Sequence, residues 1–463
     1  MGFNPVSFGL NLFQLIQADQ LDDFELEKLQ IQRLQQVFKY AIEHSPFYRR
    51  KYQGIAGDTI PLKDLPPVTK QELMSNFDDW VTDSEIRFLE VKNFISKPAN
   101  IAKPYLEKYT VWESSGSTNT PGIFLVSDEA MSIYDALEFS RKSTFLKIHQ
   151  CLNSFALSDR VAFVGVNSGH FASIVSFERM RANNAYLQDC FKSFSILDTR
   201  KSLIQQLNEY VPNILVTYPT AALALANAKE RGDLKIELSE ILTGGENLTE
   251  SMKNYIQNVF QCKVINSYGA SEFLPIAWEC DKGELHVNAD WVILEPVDEK
   301  RRPVADGVMS HTTLLTNLAN FTQPLIRYDL GDSVAINHCT CSCGCRLPTI
   351  RLQGRGDDVL KLKDAKGKWI ELLPLAITTV LEHEVGVFDF QITQDGSNSL
   401  CINLPLTRHD GRQVMQGCKK VLANYLHSQG VSSVEIKEVY DAQIVSGRSG
   451  KVKRILLVSS KHK

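Results

Sequence analysis

Apolar residues recur at helical spacing through Leu26, Leu29, Ile31, Leu34, Val37, Phe38 and Ile42, and the pattern stops before Ser45-Pro46. This periodicity predicts an amphipathic helix over 22–43 within a helical N-terminal region. Farther on the texture changes. Short apolar runs, Val161-Ala-Phe-Val-Gly-Val, Asn213-Ile-Leu-Val-Thr-Tyr, Ile241-Leu-Thr-Gly and Lys263-Val-Ile-Asn-Ser-Tyr, alternate with helical patterns that are clearest over 221–230 and 249–260. Buried strands alternating with helices predict α/β layers, with functional residues on the loops that follow strands. Beyond Leu285 the segments 285–295 and 311–317 read as β-rich. After Gly354-Arg-Gly-Asp-Asp358 the chain reads as a compact α+β unit with a hairpin turn at Lys366-Gly-Lys. The expected division is therefore a large domain over 1–354 and a small one over 355–463.

Length agrees with two domains, since 463 residues exceed what one hydrophobic core usually supports. A net charge of −4, from 50 basic and 54 acidic residues, provides no general attraction to nucleic acid or to an anionic membrane, so recognition must be local. No run approaches the ~18 apolar residues of a membrane span, and no basic leader with an apolar core opens the chain. Gly2 is followed by Ser7 one place too late for a myristoylation signal. The expected location is cytoplasmic. In that setting Cys339, Cys341, Cys343 and Cys345, clustered within seven residues, point to metal before disulfides.

Candidate chemistry begins where the extended Lys108-Tyr-Thr-Val ends. Ser114, Ser115, Gly116, Ser117 and Thr118 form a run of hydroxyls and glycine whose amides and side chains suit phosphate oxygens, although an ordinary polar turn uses the same residues. Four further motifs follow. In Asn266-Ser-Tyr-Gly-Ala-Ser-Glu272, Tyr268 offers a ring for adenine, Ser271 a phosphate donor and Glu272 a carboxylate for Mg²⁺. In Pro324-Leu-Ile-Arg-Tyr-Asp-Leu-Gly-Asp332, Asp332 suits both hydroxyls of a ribose. Gly354-Arg-Gly-Asp-Asp358 and Ser446-Gly-Arg-Ser-Gly-Lys451 complete the set. Singly, Arg355 to Asp358 also reads as a salt-laced turn, and Lys451, Lys453 and Arg454 as a solvated face. Five motifs in one order favour the functional reading.

This order resembles the adenylate-forming superfamily of acyl-CoA synthetases, and within it the phenylacetate-CoA ligase-like branch, from roughly residue 44 to residue 451. The resemblance implies a large N-terminal domain of layered β-sheets and helices and a small mobile C-terminal α+β lid. It implies that residues 114–118 wrap the β- and γ-phosphates. The family's Tyr-Gly-x-Thr-Glu falls on Tyr268, Gly269, Ser271 and Glu272, with serine replacing threonine at 271. Asp332 would hold the ribose, and Arg355 the ribose or phosphate. Asp357 would be the hinge, and Lys451 would reach the carboxylate and α-phosphate during adenylation. Gly244, Gly245 and Glu246 would border acyl group and adenine. His170 and Phe171 would line the acyl pocket, with a satisfied buried histidine the equal alternative at 170. The chain departs from the wider superfamily after Pro121, where Gly122-Ile123 stands instead of lysine, a feature shared by the branch.

Cys280 and His286, with the later cysteine cluster, supply four ligands of the kind tetrahedral Zn²⁺ takes. Some members of the branch carry a similar arrangement, which falls here on Cys341 and Cys343, with Cys339 and Cys345 as substitutes. Reduced structural thiols or a redox-sensitive cluster are the alternatives. A closed four-ligand site would be structural.

The activity implied is activation of a small carboxylic acid by ATP and Mg²⁺ through acyl-AMP, followed by thioester formation with CoA. A carrier-protein phosphopantetheine or an amine is the alternative acceptor, and a nucleotide-binding protein without catalysis the alternative class. The acid is an aryl, arylacetic or other medium-sized one. Dimerisation is common in the branch, so a homodimer is an expectation.

Overall fold

The computed structural model describes residues 5–55, 61–114, 121–141, 159–183, 187–353, 360–364, 366–372, 374–387, 390–431, 433–442 and 454–457. The N-terminal helix predicted over 22–43 runs Asp23–His44 and is bounded by side-chain chemistry at both ends. Asp22 and Glu25 form a reciprocal capping box. Ser45 ends this helix and accepts from the Tyr48 amide to start the next, Pro46–Lys51, whose first residue is a proline. Leu26, Leu34, Val37, Phe38 and Ala41 are buried. Ile31 stays exposed, so the apolar stripe is narrower than the sequence implied.

The alternating middle of the chain builds half of a nine-stranded sheet. Strands β3 (Val161–Gly165), β4 (Phe191–Ser195), β5 (Ile214–Thr217), β6 (Glu240–Thr243) and β7 (Lys263–Ala270) follow β1 (Tyr109–Glu113) and β2 (Ile123–Ser127), which pair as a separate antiparallel hairpin. Their order is β4-β3-β5-β6-β7, all parallel. The helices Pro219–Glu230 and Glu250–Phe260 are crossovers, the second capped by Thr249. Beyond Asn266, β7 changes partner and pairs antiparallel with β8 (Phe273–Glu279). The sheet continues through β9 (Leu285–Val287) to two later strands, β14 (Thr349–Gln353) and β13 (Ser333–Asn337).

The segment 285–295, which reads as one β-rich stretch, is broken between β9 and β10 (Val292–Val297), and β10 joins a different sheet with β11 (Thr312–Asn317) and the short β12 (Tyr328–Asp329). The break turns Asp290 inward to Arg141, which holds it at 2.6 Å and also bonds Asn288 at 3.0 Å and Asp19 at 3.1 Å. Arg141, Asn288, Asp290 and Arg33, whose guanidinium bonds the Asp290 carbonyl, form a buried polar knot with the half-exposed Asp19 at its edge.

The C-terminal segment is α+β. Its hairpin β15 (Leu360–Lys363) and β16 (Trp369–Leu372) turns at 364–368, where Asp364 accepts from the amides of Lys366 and Lys368 at 2.8 Å and Gly367 takes φ +77°. A four-stranded sheet and the helices Pro374–Val385 and Arg408–Ser428 complete it. The expected boundary at 354–355 lies outside the described residues. No helix among the described residues is long and apolar enough to cross a membrane.

Candidate functional site

The parallel strands stand in register, with Val164 beside Thr217, Thr217 beside Thr243 and Thr243 beside Asn266. Their C-terminal ends therefore deliver residues 165–171, 218–220, 244–246 and 267–272 to one edge of the sheet. The sheet changes from parallel to antiparallel at β7, so the turn at 271–272 stands at the same edge as the loops after the parallel strands.

Strand β1 closes this edge from above. Ser114 pairs with Gly122, its Oγ accepting from the Gly122 amide and its own amide donating to the Gly122 carbonyl, both at 2.8 Å. Ser115, Gly116, Ser117 and Thr118 lie outside the described residues, as do Arg355, Asp357 and Lys451. The Glu113 amide donates to the His170 carbonyl at 2.7 Å, and Trp112 Nε1 donates to the Ser271 carbonyl at 2.8 Å. The strand that leads into Ser114 is thus tied to both neighbouring loops.

The turn at 271–272 is held from three sides. Besides Trp112, Asn317 of β11 donates to the Glu272 carbonyl at 3.2 Å, and the Tyr328 hydroxyl of β12 donates to Glu272 Oε1 at 2.6 Å. Glu272 Oε2 has no protein hydrogen bond among the described residues, which leaves one carboxylate oxygen for a hard divalent cation. Tyr268 donates through its hydroxyl to Asp332 Oδ2 at 2.8 Å. The structure therefore brings Tyr268, Ser271, Glu272 and Asp332 together. Burial, reinforced by Glu272, holds the Tyr328 phenol well above its ordinary titration range, so it remains a donor.

The glycines of the site answer to close approach. A Cβ on Gly269 would stand 1.9 Å from the Leu274 carbonyl oxygen, at the bulge where β7 and β8 shift register. One on Gly244 would meet Ser267 Oγ at 2.8 Å, and Gly245 adopts φ +79° against the Tyr218 ring. Glu246 turns its Oε2 to the amide and hydroxyl of Thr220, at 3.0 and 2.7 Å, capping the Pro219–Glu230 helix.

The two acyl-pocket candidates diverge. His170 is 1% exposed and packs against Phe94, and burial lowers its basicity. Phe171 faces the C-terminal segment, its ring 5.3 Å from that of His383. Beside them the Glu113 carboxyl is pushed above its ordinary range by burial, an effect His383 opposes. Tyr328, Trp112, Asn317 and His383 were not singled out from sequence. Tyr328 stands inside the Pro324 to Asp332 motif and Trp112 just ahead of the hydroxyl-rich run, and those positions were the available signals.

At the far end of β8, ligand atoms of Cys280, His286, Cys341 and Cys343 all lie within 4.8 Å of one another. Cys280 Sγ is 3.9 Å from Cys341 Sγ, and Cys343 Sγ is 3.4 Å from His286 Nε2. A tetrahedron with Zn–S bonds of ~2.3 Å has edges of about 3.8 Å, so these separations fit zinc. His286 Nδ1 lies 2.8 Å from the Leu347 carbonyl, which only accepts, so the proton sits on Nδ1 and Nε2 is left as a ligand. Cys339 is exposed, and Cys345 packs against the apolar core.

Residues 110–308 match the family described as AMP-binding enzyme. The chain is 24% identical over 414 residues to the phenylacetate-coenzyme A ligase of Thermus thermophilus, covering 84% of each. It is 24% identical over 326 residues to protein CapK of Staphylococcus aureus, covering 68% of this chain and 64% of that one. Among solved structures it is similar to 2-hydroxyisobutyryl-CoA ligase in complex with 2-HIB-AMP and CoA, with TM-score 0.58 and 19% identity over 95% of this chain and 91% of that one. That likeness shows the fold. The family match and the relative aligned over most of both chains agree with the resemblance to the adenylate-forming superfamily and its phenylacetate-CoA ligase-like branch.

Proposed function

We propose that this protein is an AMP-forming acid–thiol ligase acting in the cytoplasm. A carboxylate oxygen attacks the α-phosphorus of ATP and pyrophosphate leaves. A thiol then attacks the acyl carbon and AMP leaves. The observation that carries this reading is the pairing of Tyr268 with Asp332 and of Tyr328 with Glu272, at the turn that Trp112 ties to the strand leading into Ser114. These bonds support reading Asp332 as the ribose-binding carboxylate and Glu272 as the cation-binding one, with Ser114 opening the run that would take the phosphates. Mg²⁺, when bound, neutralises charge between the phosphates. Glu272 would hold it, residues 114–118 the phosphates, and Arg355 the ribose or phosphate. Lys451, carried by the small domain that turns about Asp357, would stabilise the crowded charge of adenylation.

The acceptor is CoA in the leading reading and a carrier-protein phosphopantetheine in the second. Phe171, with His170 behind it, would border an acyl pocket for an aryl, arylacetic or other medium-sized acid. Cys280, His286, Cys341 and Cys343 would hold one structural Zn²⁺, supported by their separations.

ATP–pyrophosphate exchange across a panel including phenylacetate, benzoate and 2-hydroxyisobutyrate tests the reading. Exchange should depend on one class of acid and fall at least about a hundredfold in Lys451→Ala, as loss of a charge-stabilising group at a transition state commonly does. Tight ATP binding without exchange for any acid would instead identify a nucleotide-binding protein. Thioester formation with CoA against phosphopantetheinylated carrier then separates the acceptors.

A further inference from the structure

Tyr328 is held in place by more than its own packing. The residue before it, Arg327, adopts φ +50°, a left-handed conformation that an L side chain occupies only where its surroundings enforce it. The enforcement is visible. Arg327 Nε donates to Glu295 at 3.0 Å, its Nη1 to the carbonyls of Lys63 at 2.8 Å and Leu65 at 2.5 Å, and its amide to Thr316 Oγ1 at 3.0 Å. On either side of Tyr328 the backbone is tied to Val68, whose amide donates to the Arg327 carbonyl and whose carbonyl accepts from the Asp329 amide. This clamp turns the Tyr328 ring into the interior, 3% exposed, and delivers its hydroxyl to Glu272 Oε1. Glu272 is half-buried and begins at a tight turn, where an unrestrained side chain would populate several rotamers.

We propose that Tyr328 is a positioning residue for Glu272: by engaging Oε1 it fixes the carboxylate in advance and leaves Oε2 for the divalent cation that accompanies ATP. The proposal rests on the reading of Glu272 as that cation's ligand. It assigns the clamped Arg327 backbone a purpose, since the left-handed turn aims the phenol.

The test compares calorimetric affinity for ATP with Mg²⁺ and for ATP in excess EDTA. Tyr328→Phe removes only the hydroxyl. It should reduce the advantage conferred by Mg²⁺ by about tenfold, the worth of one hydrogen bond to a charged group, and leave metal-free affinity within about twofold. Glu272→Gln should lose most of that advantage, and Tyr328→Phe added to it should cost nothing more, because the hydroxyl acts through the carboxylate. Equal weakening of both ATP forms by Tyr328→Phe marks a merely structural residue and overturns the proposal. So does an unchanged Mg²⁺ advantage beside a damaged Glu272→Gln. A full Mg²⁺ advantage in Glu272→Gln overturns the reading of Glu272 itself, and the proposal with it. Should Tyr328→Phe fail to fold, Glu272→Asp draws the carboxylate away from the hydroxyl while keeping its charge. It should lose a similar factor, and wild-type behaviour there would overturn the proposal.

Discussion

At the scale of single residues, the site is governed by which polar atoms have partners. Tyr268 reaches Asp332 through one 2.8 Å hydrogen bond, which both orients the carboxylate and stabilises its charge. Tyr268→Phe keeps the ring and removes that donor. If Asp332 holds the ribose as proposed, the KM for ATP in the exchange assay should rise roughly 3- to 10-fold with kcat little changed, because a ground-state contact is what weakens. Glu113 presents the opposite case, a carboxylate that burial makes costly to ionise. The folded protein takes up its proton at higher pH than the unfolded chain does. The resulting penalty is therefore absent below the unfolded carboxyl's range, near pH 4, and complete once the pH has risen through the folded value. Glu113→Gln should raise the melting temperature at about pH 7.5, with the gain vanishing near pH 4 in a melting series across pH. An equal gain at both pH values would mean that burial of the charge is not its source.

At the scale of elements, the turn between β7 and β8 is the part of the fold on which the site depends. Gly269 permits the bulge by lacking a Cβ, and the bulge presents Ser271 and Glu272 to Trp112, Asn317 and Tyr328. Gly269→Ala forces its methyl onto the Leu274 carbonyl, so a strand must shift. It should destabilise by ~1–3 kcal/mol in denaturant titration. Exchange should fall by about a hundredfold, because a displacement near 1 Å moves the carboxylate out of place. Much of this level was legible in the chain. The helix Asp23–His44 announces its own ends with Asp22, Glu25 and Ser45-Pro46, and the parallel strands announce themselves by apolar runs between helical patterns. The break between β9 and β10 was not legible, because Asp290 is turned inward by Arg141, 149 residues earlier, and no local pattern encodes a partner that distant. Tyr328 was hidden for the same reason. Its motif was visible, but its partner Glu272 lies 56 residues away, so sequence showed two motifs and not the bond between them.

At the scale of the whole molecule, the cysteine and histidine cluster connects parts that local structure leaves separate. Cys280 and His286 flank the turn from β8 to β9, while Cys341 and Cys343 come from the loop between β13 and β14. A bound Zn²⁺ would fasten that loop to β9, a strand of only three residues with little ladder of its own. Immediately after β9, Asn288 and Asp290 anchor Arg141, which in turn holds Asp19 just past the helix Pro5–Ala18, and the Asp290 carbonyl anchors Arg33 in the helix Asp23–His44. Cys343 without a cation is pushed upward by burial and by the neighbouring thiols, a proton penalty that a bound metal would remove. Metal loss should therefore loosen the N-terminal helices as well as the cysteine loop. Purified protein should contain about one zinc per chain, and Cys341→Ser with Cys343→Ser should lose it and melt roughly 5 °C lower or more. Hydrogen exchange should then quicken in β9 and over residues 5–44, while β3, β5 and β6, whose core contacts do not pass through the cluster, keep their protection. Uniform quickening across the sheet would instead make the cluster a determinant of global stability. Unchanged exchange over 5–44 would show that the Arg141 knot holds the N-terminal helices without help from β9.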